Sequence, residues 1–330
     1  MKTALVLTCD DNFIPYTSVV ARRIALGASE KFPIVIVSDG VSDENKALAR
    51  KFCPRITFIE GSGLFDSRSF HVHANFSRAC YLRLFFDEIL ADFDRIAYID
   101  SDVSPLTDIS PMMQMKPKAA PVIAAYDMPI LESGNYMDRI PLSPGSAYFN
   151  SGVMVFDMNA SRSEGIFADA LRFALEHPKL CTFVDQDALN VAIDGRWQVL
   201  DWRWNALTFM LDHLPSRPFI RHITGEKPWT PHKDHIEPYL VEQWRADLAE
   251  SPWPDRWQAR APRTAGDRLR PALASVENCL KGIFYSKSNT RRGRKIRFKH
   301  RFRSILTASE QAASMEQLAV RDPEAAFLSS

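Results

Sequence analysis

The chain has 330 residues, 41 Lys+Arg against 40 Asp+Glu, and 46% apolar residues. It is long enough for one large or two ordinary domains around a real core, which excludes a disordered chain and a disulfide-stapled miniprotein. The near-neutral total is a cancellation: residues 1–280 hold 30 bases and 36 acids, 281–303 hold 10 bases and no acid, and 304–330 hold 1 base and 4 acids.

The first apolar run, ALVLTC (4–9), ends at paired acids. At about five residues it is too short for a signal-peptide core or a membrane span, so it predicts a strand and a chain that is neither exported nor passed through a bilayer. Further short runs follow at PIVIVSD (33–39), RITFIE (55–60), RIAYID (95–100) and PVIAAYD (121–127), most of them stopping at an acid. Helical periodicity fills the gaps in TSVVARRIALGA, in SDENKALARKF with Ser42 as N-cap, and in SRACYLRLFFDEILADF. Strands alternating with crossover helices predict an α/β fold, a mostly parallel sheet covered by helices, whose ligands sit beyond the carboxyl ends of the strands.

Two long, glycine-bearing stretches, 61–75 and 128–147, break the rhythm and read as binding loops. After them come the run AYFNSGVMVFDM, a helix near 162–177, a second helix over DQDALNVAI, and WQVLDWRWN. The Pro- and Arg-rich text at 251–271 marks a domain edge, giving a body over 1–250, a linker and helix over 251–280, and a basic amphipathic segment with a tail over 281–330. The five cysteines are odd in number and scattered, without a C-x-x-C pair, which fits a reducing cytoplasm and opposes a zinc finger.

Neither G-x-G-x-x-G nor G-x-x-x-x-G-K-[ST] occurs, so a phosphorylated ligand would need another means of neutralisation. D-x-D offers one but occurs three times, at Asp92/Asp94, Asp100/Asp102 and Asp185/Asp187. Asp92 and Asp94 lie in a polar turn and read as solvated acids. Asp100 and Asp102 end an apolar strand, where a carboxylate pair suits a hard divalent cation bridging substrate phosphates. Ordinary strand-cap aspartates are the equal alternative on spacing alone.

Five ordered blocks then carry a resemblance: CDDNF (9–13), CYLRL (80–84), AYIDSDV (97–103), YFNSGVMVFDM (148–158) with DQDALN (185–190), and HITGEKPW (222–229). Over roughly residues 1–245 the chain resembles glycosyltransferase family 8, the retaining nucleotide-sugar transferases that include lipopolysaccharide galactosyl- and glucosyltransferases. The resemblance implies a GT-A-type sheet and hexose transfer from a UDP-sugar to a saccharide acceptor, such as lipopolysaccharide or another surface glycan. It implies that Asp10, Asn12 and Phe13 hold the uridine, that Arg83 and Ser101 reach the donor, and that Asp100, Asp102 and His222 ligate manganese, with magnesium as the alternative. Gly225 and Lys227 would close over the diphosphate, although this chain reads H-x-x-G-x-K-P-W, one residue shorter than the family's usual spacing. Asn150, Gly152, Asp127, Asp185 and Gln186 would line the donor sugar, with Asp127, Asp185 and Gln186 as the catalytic group.

Two rivals use the same acids. DSDVS resembles the first motif of haloacid-dehalogenase-type phosphohydrolases, but it lies about 100 residues into the chain and lacks the following acidic pair of that family. An inactive relative that only binds nucleotide or lipid is the other. Of the remaining features, His71 and His73 read as surface residues, Arg78 as a surface charge, and Trp202 and Trp204 as packing aromatics, while Trp229 is placed to stack on a sugar. In the basic segment, Phe298, Phe302, Ile305 and Leu306 form one helical stripe among cations. Such a helix suits an anionic membrane surface, which places the protein peripherally at the inner face through 281–306. Nucleic acid is the weaker rival for that stripe.

Overall fold

Thr3–Asp10 (β1) is buried along its interior on both faces, which is the mark of a central parallel strand rather than a half-solvated one. Leu5, Leu7 and Cys9 face one core layer, and Ala4 and Val6 face the other. The computed structural model describes residues 1–259 apart from 67, 71, 73–75, 119, 134–135, 209–216 and 232–235. His71, His73, Cys279 and the basic segment, including the stripe at 281–306, lie outside the described residues.

After β1 the chain runs through Ile14–Gly27 (α1), Ile34–Asp39 (β2), Asp43–Phe52 (α2) and Ile56–Glu60 (β3). The Ser42 side chain accepts from the Asn45 backbone N–H, so the expected N-cap of α2 forms. A 3-10 segment, Arg78–Phe85, leads into Phe86–Ile89 (α3), Arg95–Ile99 (β4), Val103–Pro105 (β5), Ser110–Gln114 (α4) and Val122–Tyr126 (β6). Next come Met128–Ser133 (α5), Phe149–Asp157 (β7), Met158–Ser163 (α6), Ile166–Glu176 (α7), Asp185–Ile193 (α8) and Trp197–Val199 (β8). A second 3-10 turn, Trp202–Asn205, precedes Ala206–Leu207 (β9), Ile220–His222 (β10) and Pro238–Glu250 (α9).

Seven strands form one sheet in the order β3-β2-β1-β4-β7-β6-β8, with only β7 antiparallel to its neighbours. A small sheet, β5-β10-β9, stands beyond the end of β4. One core layer packs α1, Trp204, Trp244 and Leu248 on the main sheet. The other packs the 3-10 segment, α3 and α7.

Two expected helices take different forms. SRACYLRLFF starts as a 3-10 segment, in which Tyr81, Leu82, Arg83, Leu84 and Phe85 are all buried. The helix near 162–177 is broken at Gly165, whose φ of 66° lies in the left-handed region open to glycine. Residues 251–258 pack on the core through Trp253 and Trp257, next to α9. Among the described residues no helix is long and apolar enough to cross a membrane.

Candidate functional site

The strand registers gather the acids. β4 ends at Ile99, and the Asp100 N–H donates to Gly152 O at 2.8 Å, so β7 sits directly against the first aspartate. His222 pairs with Val103, and the Ile223 N–H donates to Asp102 O at 2.9 Å. The small sheet therefore carries a histidine from more than 100 residues downstream to the D-x-D turn. Asp100, Asp102 and His222 offer ligand atoms within 4.8 Å of one another.

Gly152 makes this approach possible. A Cβ there would overlap His222 Cε1 and stand 2.8 Å from Asp100 Oδ2. This is a close-approach glycine, whose backbone conformation is otherwise ordinary.

These side chains open on a cavity of about 350 Å³ at the carboxyl end of the sheet. Asp10 and Phe13 border it from the end of β1, Arg83 and Tyr98 from behind, and Asp127, Asn150 and Gln186 from the far side. Ser101, Gly225 and Lys227 also border it. Its apolar stretch comes from Phe76, Pro129, Ile130 and Phe183.

Each carboxylate has a different situation. Asp102 Oδ2 accepts from Lys227 Nζ at 2.5 Å, while Asp102 Oδ1 is buried without a hydrogen-bond partner. Burial works to raise the Asp102 pKa, but Lys227 and then His222 outweigh it and hold the group below the usual carboxylate range. Asp100 Oδ1 accepts from Tyr98 Oη at 2.5 Å and lies 3.4 Å from the Arg83 guanidinium. Asp100 Oδ2 lies 3.7 Å and Asp102 Oδ1 3.2 Å from His222 Nε2. Two carboxylates and an imidazole, with one buried oxygen left unpaired, fit a divalent ion. The two nearest cations, Arg83 and Lys227, each also serve another group: Arg83 NH2 donates to Asp185 at 2.6 Å, and Lys227 donates to Ile223 O at 2.9 Å.

Gln186 is held from both ends. Its Oε1 accepts from the Ser151 N–H at 3.0 Å and Asn150 Nδ2 at 3.2 Å, and its Nε2 donates to Asp127 Oδ2 at 3.0 Å and Tyr148 Oη at 3.2 Å. Burial raises the Asp127 pKa, against the Asn150 hydrogen bond that favours its charged form. Lys227, despite the shortened motif, reaches the metal-type cluster because Gly225, at φ 82°, turns the loop back on itself.

Three expected site residues fall elsewhere. Asp185 is fully buried and paired to Arg83 behind the cavity wall, where burial pushes its carboxyl up to about 7. Asn12 is exposed and gives its backbone N–H to Asp10 Oδ1 at 3.0 Å. Trp229 is not available to a sugar, because it is buried and stacked on Tyr16 at 3.8 Å. Trp202 and Trp204 are buried, and Arg78 pairs with Asp39 over the Phe65 ring.

The sequence reading missed Tyr98 and Asn205. Tyr98 was legible, since it lies two residues before Asp100 on a strand and so shares its face. Asn205, whose Oδ1 lies 2.8 Å from His222 Nδ1, carried no local signal beyond following a buried tryptophan.

Comparison with known proteins bears on this geometry. Residues 4–232 match the family described as glycosyl transferase family 8. General stress protein A of Bacillus subtilis (strain 168) is 28% identical over 268 residues, covering 72% of this chain and 90% of that protein. Lipopolysaccharide 1,2-glucosyltransferase of Escherichia coli (strain K12) is 29% identical over 194 residues, covering 54% of this chain. The chain spans only 56% of that enzyme's length and 58% of that of the glycosyltransferase GlyF of Streptococcus pneumoniae serotype 4, which is 22% identical. In structure, the galactosyltransferase LgtC in complex with donor and acceptor sugar analogues superposes with a TM-score of 0.67 at 21% identity, covering 81% of this chain and 99% of that one. At that identity the likeness concerns the fold, whose parallel sheet with one antiparallel strand is of the GT-A type.

Proposed function

The chain belongs to glycosyltransferase family 8, and on that premise we propose that it transfers a hexose, galactose or glucose, from a UDP-sugar to a saccharide acceptor with retention at the anomeric carbon. The observation that carries the reading is the convergence of Asp100, Asp102 and His222 on the cavity that Asn150, Asp127 and Gln186 also border. In this reading those three residues hold a divalent ion, manganese by its tolerance of mixed oxygen and nitrogen donors, which when bound offsets the charge growing on the leaving diphosphate.

The chain's own residues do the rest. Lys227 exchanges its contact with Asp102 for the diphosphate, and Arg83 holds Asp100 in place from behind. Asp127 faces the anomeric carbon and stabilises its oxocarbenium-like charge. Gln186 is a positioning group in this scheme, because its amide oxygen already accepts from Ser151 and Asn150, which further weakens an intrinsically poor nucleophile. The acceptor hydroxyl therefore attacks from the face the diphosphate leaves: the carbon to phosphate-oxygen bond breaks, the carbon to acceptor-oxygen bond forms, and the hydroxyl proton passes to the diphosphate.

The acceptor is proposed as lipopolysaccharide or another surface glycan, met at the inner membrane face through residues 281–306. Vesicle flotation of the full chain against a form ending at Asn278 tests that address, and equal binding of both refutes it. The activity is tested with a panel of UDP-galactose, UDP-glucose and GDP-mannose plus manganese. Acceptor-dependent UDP release supports the transferase. No release from any donor leaves a nucleotide-binding relative without turnover. The phosphohydrolase alternative is set aside by the family membership.

A further inference from the structure

Asn205 stands behind the site at the end of its 3-10 turn and is 2% exposed. Its Oδ1 lies 2.8 Å from His222 Nδ1, and its Nδ2 donates to Asn150 Oδ1 at 2.9 Å. Shape alone distinguishes neither the two ends of an amide nor the two tautomers of an imidazole. Here both are decided by neighbours that have no choice.

The Gly152 backbone N–H donates to the same Asn150 Oδ1 at 3.0 Å. A main-chain nitrogen can only donate, so the Asn150 atom that meets it is the oxygen. The other end of Asn150 is then the NH₂, and it indeed meets the carboxylate oxygen Asp127 Oδ2 at 3.0 Å. Since Asn150 Oδ1 can only accept, Asn205 must offer it the NH₂ and turn its own oxygen to His222. That oxygen also only accepts, so His222 carries a proton on Nδ1. In the neutral ring Nε2 is then left with a bare lone pair, facing Asp102 Oδ1 at 3.2 Å.

We infer that Asn205 is a positioning residue that holds His222 as the Nδ1–H tautomer with its Nε2 lone pair turned to the metal site, and that the Gly152 backbone N–H dictates this through Asn150. The inference rests on the proposed metal-binding role of Asp100, Asp102 and His222. A ligating histidine needs its remote nitrogen tied down, and loss of such a tie commonly lowers metal affinity about 10–100-fold.

The test uses the full-length, metal-free protein with ¹⁵N-labelled histidine, at mildly alkaline pH. Long-range ¹H–¹⁵N spectra, with His222→Ala identifying the signal, report where the His222 proton sits. Manganese binding is followed separately by electron paramagnetic resonance, without substrate. The wild type is expected to show Nδ1–H. Asn205→Leu, with the same branching at Cγ but no acceptor, should populate Nε2–H and bind manganese about 10–100-fold more weakly. Asn205→Asp retains the acceptor toward His222 and should keep Nδ1–H, while giving up the donor to Asn150 Oδ1. A packing role alone would leave the proton on Nδ1 in both variants. A wild-type proton on Nε2 overturns the inference, as does unchanged affinity in Asn205→Leu or a proton on Nε2 in Asn205→Asp. If the leucine variant fails to fold, the wild-type tautomer and the aspartate variant still decide. Equal manganese binding by wild type and His222→Ala would bring down the metal-site reading instead, and the tautomer measurement would still judge what Asn205 does.

Discussion

Asp100/Asp102 and Asp185/Asp187 have the same spacing and both lie at an element boundary, yet the fold treats them oppositely. Asp187 is fully buried with its oxygens taken by Tyr148 Oη at 2.5 Å, Tyr136 Oη at 2.7 Å and the Phe183 N–H at 2.7 Å. Asp185 gives one oxygen to Arg83 and leaves the other buried without a partner, but it does not border the cavity. Asp100 and Asp102 border the cavity, and one of their oxygens has no partner. A carboxylate sealed in the core supports architecture, while one with an unpartnered oxygen beside a cavity is available to a ligand. Spacing decides neither; the neighbours do.

The contrast can be broken most sharply at Asp102. Asp102→Asn should cut manganese-dependent UDP release on the order of 10²–10³-fold while leaving the melting temperature near that of wild type. Full turnover in that variant would erase the distinction between the two pairs. Asp187→Ala should do the reverse. It strands two tyrosine hydroxyls and a backbone N–H, costing about 3 kcal/mol in urea unfolding, with activity lost in proportion to the unfolded fraction. A stable but inactive Asp187→Ala would move that acid into the chemistry.

Asp185 gives a subtler separation through pH. Its folded pKa, near 7, lies above the ordinary 3.8, so the native state keeps a proton that the unfolded chain releases. Stability from this group is therefore greatest below the unfolded value, declines as pH rises toward the folded value, and is level above it. The unfolding free energy from urea titrations should fall by about 2 kcal/mol between roughly pH 5 and pH 7, and Asp185→Asn should flatten that slope. An unaltered slope would place the titration elsewhere. The smallest effect belongs to the third D-x-D. Asp92 is largely exposed beside Lys2, and Asp92→Ala should change neither turnover nor stability by more than about 0.5 kcal/mol.

Much of this was legible beforehand. Apolar runs that end in acids correctly located β1, β2, β4 and β6, because a strand buried on both faces must be apolar throughout and its polar residues collect where it emerges, and the same pattern located β3 although it is a half-exposed edge strand. The cavity's position at the carboxyl ends followed from the parallel order. The antiparallel insertion of β7 between β4 and β6 was not legible, since both orientations bury the same residues. Nor was the enclosure of Asp185, because its helix-start sequence does not show that Arg83, buried in a 3-10 segment about 100 residues earlier, would reach it.

By itself the sequence determined the alternation of strands and helices, the family blocks and the acids at the end of β4, all of which are local patterns read along one element. The tertiary structure alone decided which acids face the cavity, that His222 arrives through the register of β10 on β5, and that Asn205 stands behind it. Those outcomes depend on pairings between residues tens to hundreds of positions apart, and on which unpartnered oxygen comes to border the cavity. No single stretch of the chain contains that information.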